Sequence, residues 1–115
     1  MNHFLSSNVR IAYQVVGEGE PFVLVHGFAS THAVNWVEPG WVDCLVAEGF
    51  QVIMLDLRGH GESEKLFDPA LYDRSAMAED IANLIHHLGY ENADIMGYSM
   101  GGMLALRLAR LMPDL

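Results

Sequence analysis

Ala93-Asp94-Ile95-Met96-Gly97-Tyr98-Ser99-Met100-Gly101-Gly102-Met103-Leu104 is the stretch whose reading decides the fold. A short apolar run, Ala93 to Tyr98, ends at a serine, and a helical apolar pattern begins near Ser99. Gly97, Ser99 and Gly101 stand in a G-x-S-x-G arrangement. A strand that turns sharply into a helix at a serine needs glycines two residues to either side, where Cβ atoms would clash. The serine Oγ then projects above the sheet edge, in the positive field of the helix N-terminus. Met103, Leu104, Leu106, Leu108 and Leu111 surround most of the helix, which predicts deep burial. Arg107 and Arg110 lie near its C-terminal end, where cations are favoured, and Pro113 stops it.

Working outward, two further continuous apolar runs end at glycine clusters. Phe22–Val25 leads into His26-Gly27, and Gln51–Asp56 leads into Arg58-Gly59-His60-Gly61. Runs apolar on both faces read as central strands of a parallel sheet. Val9–Val16 is β-branched and partly alternating, as in a half-exposed antiparallel strand, and Gly17–Pro21 is a turn by composition. Trp41–Glu48 predicts a helix stopped by Gly49. Met77, Ile81, Leu84, Ile85 and Leu88 form one stripe of a helix over Asp73–Leu88, with Asp73 as N-cap and Gly89 beyond its end. The alternation predicts an α/β fold with a doubly wound, mostly parallel sheet. Ligands in such sheets bind beyond the carboxyl ends of the strands, where all three glycine clusters fall.

The chain has 115 residues, 51% of them hydrophobic, which suits one globular domain. With 6 Lys+Arg against 15 Asp+Glu, the net charge of −9 argues against nucleic acid and anionic membrane surfaces. No run is long enough to span a membrane, and the start has no signal-peptide core. The single cysteine, Cys44, excludes an intrachain disulfide and reads as core; these features together suggest a cytoplasmic protein. No cofactor or metal motif is present: the glycines at 17 and 19 lack a phosphate-loop ending, and the adjacent His86 and His87 point apart, as solvated helix-end residues.

Three motifs in one order, His26-Gly27-Phe28, Asp56-Leu57-Arg58-Gly59-His60-Gly61-Glu62-Ser63 and Gly97-Tyr98-Ser99-Met100-Gly101-Gly102, resemble those of the α/β-hydrolase superfamily. The resemblance covers nearly the whole chain. It implies a serine hydrolase, similar to carboxylic-ester hydrolases, with Ser99 as nucleophile. It also implies an oxyanion hole made by the backbone N–H groups of Phe28 and Met100. By the same resemblance His26, Gly27, Gly97 and Gly101 shape the loops, while Asp56, Arg58 and His60 form a turn network that buttresses them. His32 follows the oxyanion loop, from where its side chain could reach the pocket mouth. A serine at position 99 disfavours the dehalogenase and epoxide-hydrolase branches, whose nucleophile is a carboxylate. Esters of small or medium apolar acyl groups are the expected substrates, with carbon–carbon hydrolysis of diketone-like acids or perhydrolysis as rivals.

The superfamily places an acid and then a histidine after the serine. Residues 100–115 contain one acid, Asp114, and no histidine. Fifteen residues of helical rise would put Asp114 about 22 Å from Ser99, too far to serve. The chain is therefore expected to be the amino-terminal part of an α/β-hydrolase domain, residues 1–115, truncated after the nucleophile helix and inactive without the acid and histidine. A complementary carboxy-terminal half on another chain is one alternative. A non-catalytic protein that pairs or self-associates through an open edge at Ala93–Tyr98 is the other.

Overall fold

A computed structural model describes all 115 residues. The elements run β1 (Asn2–Ser6), β2 (Val9–Val16), β3 (Glu20–Val25), a π-helical turn (Ala33–Val37), α1 (Trp41–Ala47) and β4 (Phe50–Leu55). A 3₁₀ turn (Pro69–Tyr72), α2 (Arg74–His87), β5 (Asp94–Gly97) and α3 (Met100–Leu111) complete the chain. The five strands form one sheet in the order β1-β2-β4-β3-β5. β3 is parallel to both β4 and β5, whereas β2 is antiparallel to β1 and β4.

The apolar runs of β3 and β4 are buried on both faces because helices cover both, whereas β5 is half-buried. Val23, Val25, Ile53 and Leu55 point to one side, where Met77, Ile81, Leu84 and Ile85 of α2 and Leu104 and Leu108 of α3 complete a core. Leu24, Val52 and Met54 point to the other side, against Trp36 and Val42. This is the doubly wound arrangement expected from the strand–helix alternation. Parallel pairing aligns the ends of β3, β4 and β5: Val25 lies opposite Leu55 and opposite Gly97. The loops that follow these residues therefore emerge together.

α2 is capped as its sequence predicts: the Asp73 carboxylate accepts from the Ala76 N–H, and Gly89 takes a left-handed φ of 89° beyond the last turn. Three expectations need correction. Cys44 is exposed, not core, because α1 buries only Val42 and turns Cys44 outward. α3 is not deeply buried: Gly101, Leu104 and Leu108 face inward, while Met103, Leu106 and Leu111 are exposed. One sheet face covers one side of a helix, and no element here covers the other. Finally, β2 is more than half-buried, since it lies between β1 and β4 and keeps only Arg10 and Gln14 exposed. β5 forms one edge of the sheet, with β1 at the other.

Candidate active site

Ser99 occupies the corner between β5 and α3. Its φ of 53° and ψ of −113° are adopted by few residues other than glycine, and such strain persists only where the surroundings enforce it. The enforcing contacts are backbone. A Cβ on Gly97 would sit 2.2 Å from the Gly101 carbonyl carbon, and a Cβ on Gly101 would sit 2.1 Å from the Val25 carbonyl oxygen. Both glycines therefore let α3 start directly against β3 and β5, as the spacing of the motif requires. Ser99 is exposed, so its hydroxyl is open to a reactant.

The loop after β3 lies beside this corner. A Cβ built on Gly27 would be 3.5 Å from the Ser99 Cβ. The Gly27 N–H donates to the Asn35 side-chain oxygen at 2.8 Å, and the Ala29 N–H donates to His60 Nε2 at 3.0 Å. Phe28, between them, gives its N–H to no group of the chain. Met100, at the first position of α3, likewise has no intrahelical acceptor for its N–H. The Phe28 and Met100 side chains line one cavity of about 520 Å³ with Tyr72, Met77, His60 and Arg74. Ser99 itself lines a different groove, of about 760 Å³, that runs along β5 and α3.

His26 is fully buried. Its Nδ1 donates to the Gly27 carbonyl at 2.7 Å, and its Nε2 accepts from the Leu57 N–H at 2.9 Å. Burial is the chief cause that lowers its pKa, against the raising effect of the Gly27 bond. With both ring nitrogens engaged, His26 shapes the loop and has no free nitrogen for a substrate. Asp56 is also buried and collects three bonds, from the His32 N–H, His32 Nδ1 and the Glu62 N–H. Burial alone would raise its pKa, but these bonds outweigh it and hold the carboxyl at about 2. His32 is thus turned onto Asp56.

Arg58 points away from the corner. It forms a two-pronged pair with Asp80 at 2.7 Å, donates to the Leu71 carbonyl, and fixes the turn to α2; Ser6 adds a third bond to the same carboxylate. Asn35 and Asp80 carried no signal in the sequence, since each acts on a partner distant along the chain. A π-helical turn is a form that recurs near functional sites, and here it delivers Asn35 to Gly27.

Comparison with known proteins agrees with this frame. The family described as alpha/beta hydrolase fold matches residues 20–115. A soluble epoxide hydrolase of Corynebacterium sp. (strain C12) is 39% identical over 100 residues, covering 87% of this chain and 33% of that protein. A fluoroacetate dehalogenase of Burkholderia sp. is 36% identical over 111 residues, 93% of this chain and 35% of that protein. The crystal structure of epoxide hydrolase A from Mycobacterium thermoresistibile superimposes with a TM-score of 0.91 at 29% identity, covering 98% of this chain and 35% of that one. The chain belongs to the α/β-hydrolase family. It spans about a third of the length of these relatives.

Proposed function

We propose that these residues form the nucleophile half of a serine hydrolase that cleaves esters or related acyl compounds. Ser99 Oγ would bond to the acyl carbon and the ester C–O bond would break, releasing the alcohol. Water would then cleave the acyl-enzyme to give the acid and restore the serine. The Phe28 and Met100 N–H groups would take the negative charge that develops on the carbonyl oxygen. The observation that carries this reading is the strained Ser99 at the strand–helix corner, flanked by two main-chain donors that the fold leaves uncommitted. The relatives include a soluble epoxide hydrolase and a fluoroacetate dehalogenase. A serine in place of the carboxylate nucleophile of those branches favours acyl chemistry here.

The base and its orienting acid would come from outside residues 1–115. His26 and His60 have both ring nitrogens engaged, and His32 is bonded to Asp56. The 115-residue chain alone should therefore turn over slowly, since triad removal costs about 10⁶ in rate. Apolar Phe28, Tyr72, Met77 and Met100 around the cavity favour an uncharged acyl group. The test is labelling by a fluorophosphonate probe in a protein that includes the partner residues, followed by peptide mapping. Covalent label on Ser99, lost in Ser99→Ala, is the expected result; ester hydrolysis that survives Ser99→Ala would refute it.

A second reading has its own observation. β5 is an edge strand, and the groove along it and α3 is lined by Ile95, Met96, Met103, Leu106 and Met112. Unpaired strand edges beside apolar surface attract further chain. Residues 1–115 would then pair or self-associate there, which light scattering of the purified chain measures directly.

A further inference from the structure

We propose that His60 is a positioning residue for the loop that carries Phe28, and that it works as one half of a reciprocal histidine latch with His26. The catalytic value of the latch rests on the reading of Phe28 as an oxyanion donor; its existence does not. The two rings belong to different loops, and each accepts a main-chain N–H from the other's loop. His26, after β3, accepts from Leu57, after β4, at 2.9 Å. His60, after β4, accepts from Ala29, after β3, at 3.0 Å. The ring centroids are 5.1 Å apart.

The partners fix the tautomers. A main-chain N–H only donates and a carbonyl only accepts. His26 faces the Gly27 carbonyl through Nδ1, and His60 faces the Arg58 carbonyl through Nδ1 at 3.0 Å. Both rings must therefore be neutral, with the proton on Nδ1 and the lone pair on Nε2. Protonation turns Nε2 into a donor and sets it against another donor, so either half of the latch opens when its ring takes a second proton.

An independent feature shows what the His60 half holds. Ala29 has a φ of 59°, a left-handed conformation disfavoured for alanine. Its N–H is the one His60 accepts, so the bond secures a loop residue that would otherwise tend to relax. Gly27 is fixed by Asn35 on the other side. Phe28 is thus clamped between two engaged amides, with its own N–H left over. The groups around His60 are His26 and Phe28, with ring centroids at 5.1 and 5.9 Å, and Tyr72 and Arg74 across the cavity. Asp56 and His32 lie in the same loop cluster, bonded to one another, and the Arg58 guanidinium is spent on Asp80.

The experiment uses the 115-residue chain and reads the latch without any activity. Long-range ¹⁵N–¹H spectra of the imidazoles report which nitrogen carries the proton, in wild type and without mutation. Amide exchange at Ala29, corrected for intrinsic rates, is followed at about pH 7.5 and about pH 5.5. The expected result is the Nδ1–H tautomer for both rings, and Ala29 protection that falls on acidification in wild type. His60→Ala should lower that protection about tenfold at neutral pH, the scale of one net hydrogen bond. His60→Gln, whose carbonyl oxygen can replace Nε2 as acceptor, should restore protection and remove its pH dependence. An Nε2–H tautomer for His60, or Ala29 protection that ignores both pH and the loss of the ring, would overturn the proposal. Fluorophosphonate labelling of Ser99 tests the catalytic reading separately, so a serine that fails to label leaves the exchange data to judge the latch.

Discussion

Ser99 stands between two regions that are held in place by different means. On one side, residues 26–32 and 56–63 are cross-tied by polar side chains: His26, Asn35, Asp56 and His60 each bond a main-chain group of a neighbouring segment, and the His32 ring bonds the Asp56 carboxylate. On the other side, the β5–α3 corner has almost no side-chain bonding and is set by backbone packed on backbone at Gly97 and Gly101. The first region positions through directional contacts that respond to protonation. The second positions through exclusion, which responds to volume. Loops far apart in sequence need hydrogen bonds to fix their distance, whereas a turn between adjacent elements needs only room.

The comparison can be broken most severely under the cross-tied loops. Asp80→Ala would strand the buried Arg58 guanidinium, which has no other ion-pair partner, and should cost about 3–5 kcal/mol in urea unfolding. Gly101→Ala attacks the other region by volume alone. Its Cβ would lie 2.1 Å from the Val25 oxygen, and a loss of about 1–3 kcal/mol is expected, with a displaced corner visible in the Ser99 and Gly27 amide shifts.

Acid should separate the two regions further. The Asp56 carboxyl stands at about 2 in the fold against an ordinary 3.8. A depressed carboxyl contributes stability that is full above its unfolded pKa and lost as pH falls through the folded one. That amounts to about 2 kcal/mol, declining from about pH 4 to about pH 2. His26 acts in the same sense: its pKa is lowered, so the unfolded chain takes the proton first and stability falls as pH drops below the ordinary histidine range. Asp56→Asn should flatten the steeper part of the profile, as urea midpoints at stepped pH would show. The smallest effect belongs to the outer face of α3. Leu106→Ser removes an exposed side chain and should change stability by no more than about 0.5 kcal/mol. It should nonetheless reduce any association seen by light scattering.

How far each region could be read from sequence follows from the same division. β3 and β4 were legible because strands buried on both faces leave unbroken apolar runs, and β5 was legible, although it is a half-buried edge, because its short apolar run leads straight into the Gly97–Gly101 corner, where steric exclusion demands glycine at fixed spacing. α2 announced itself through its stripe and caps. β1 did not: only Phe4 and Ser6 of its residues are buried, too few to make a pattern. The burial of α3 was overestimated because apolar residues around a helix state a capacity to be covered, not the presence of a cover. Cys44 was misplaced for a related reason, since α1 is apolar at neighbouring positions yet buries only Val42. The ties at Asn35 and Asp80 left no trace, because a single polar residue that bonds a partner eight or twenty-two positions away resembles any surface residue.

The outward-facing Cys44 also governs how the chain behaves in the test tube. It is the sole thiol, and it lies on α1, across the sheet from α2 and α3. Air oxidation would join two copies back to back through their α1 helices, leaving both β5 edges facing outward. Such a covalent pair would pass for edge association in a sizing experiment unless a reductant is present. The same thiol offers a single attachment point for a surface or a dye, with the Ser99 corner left unmodified.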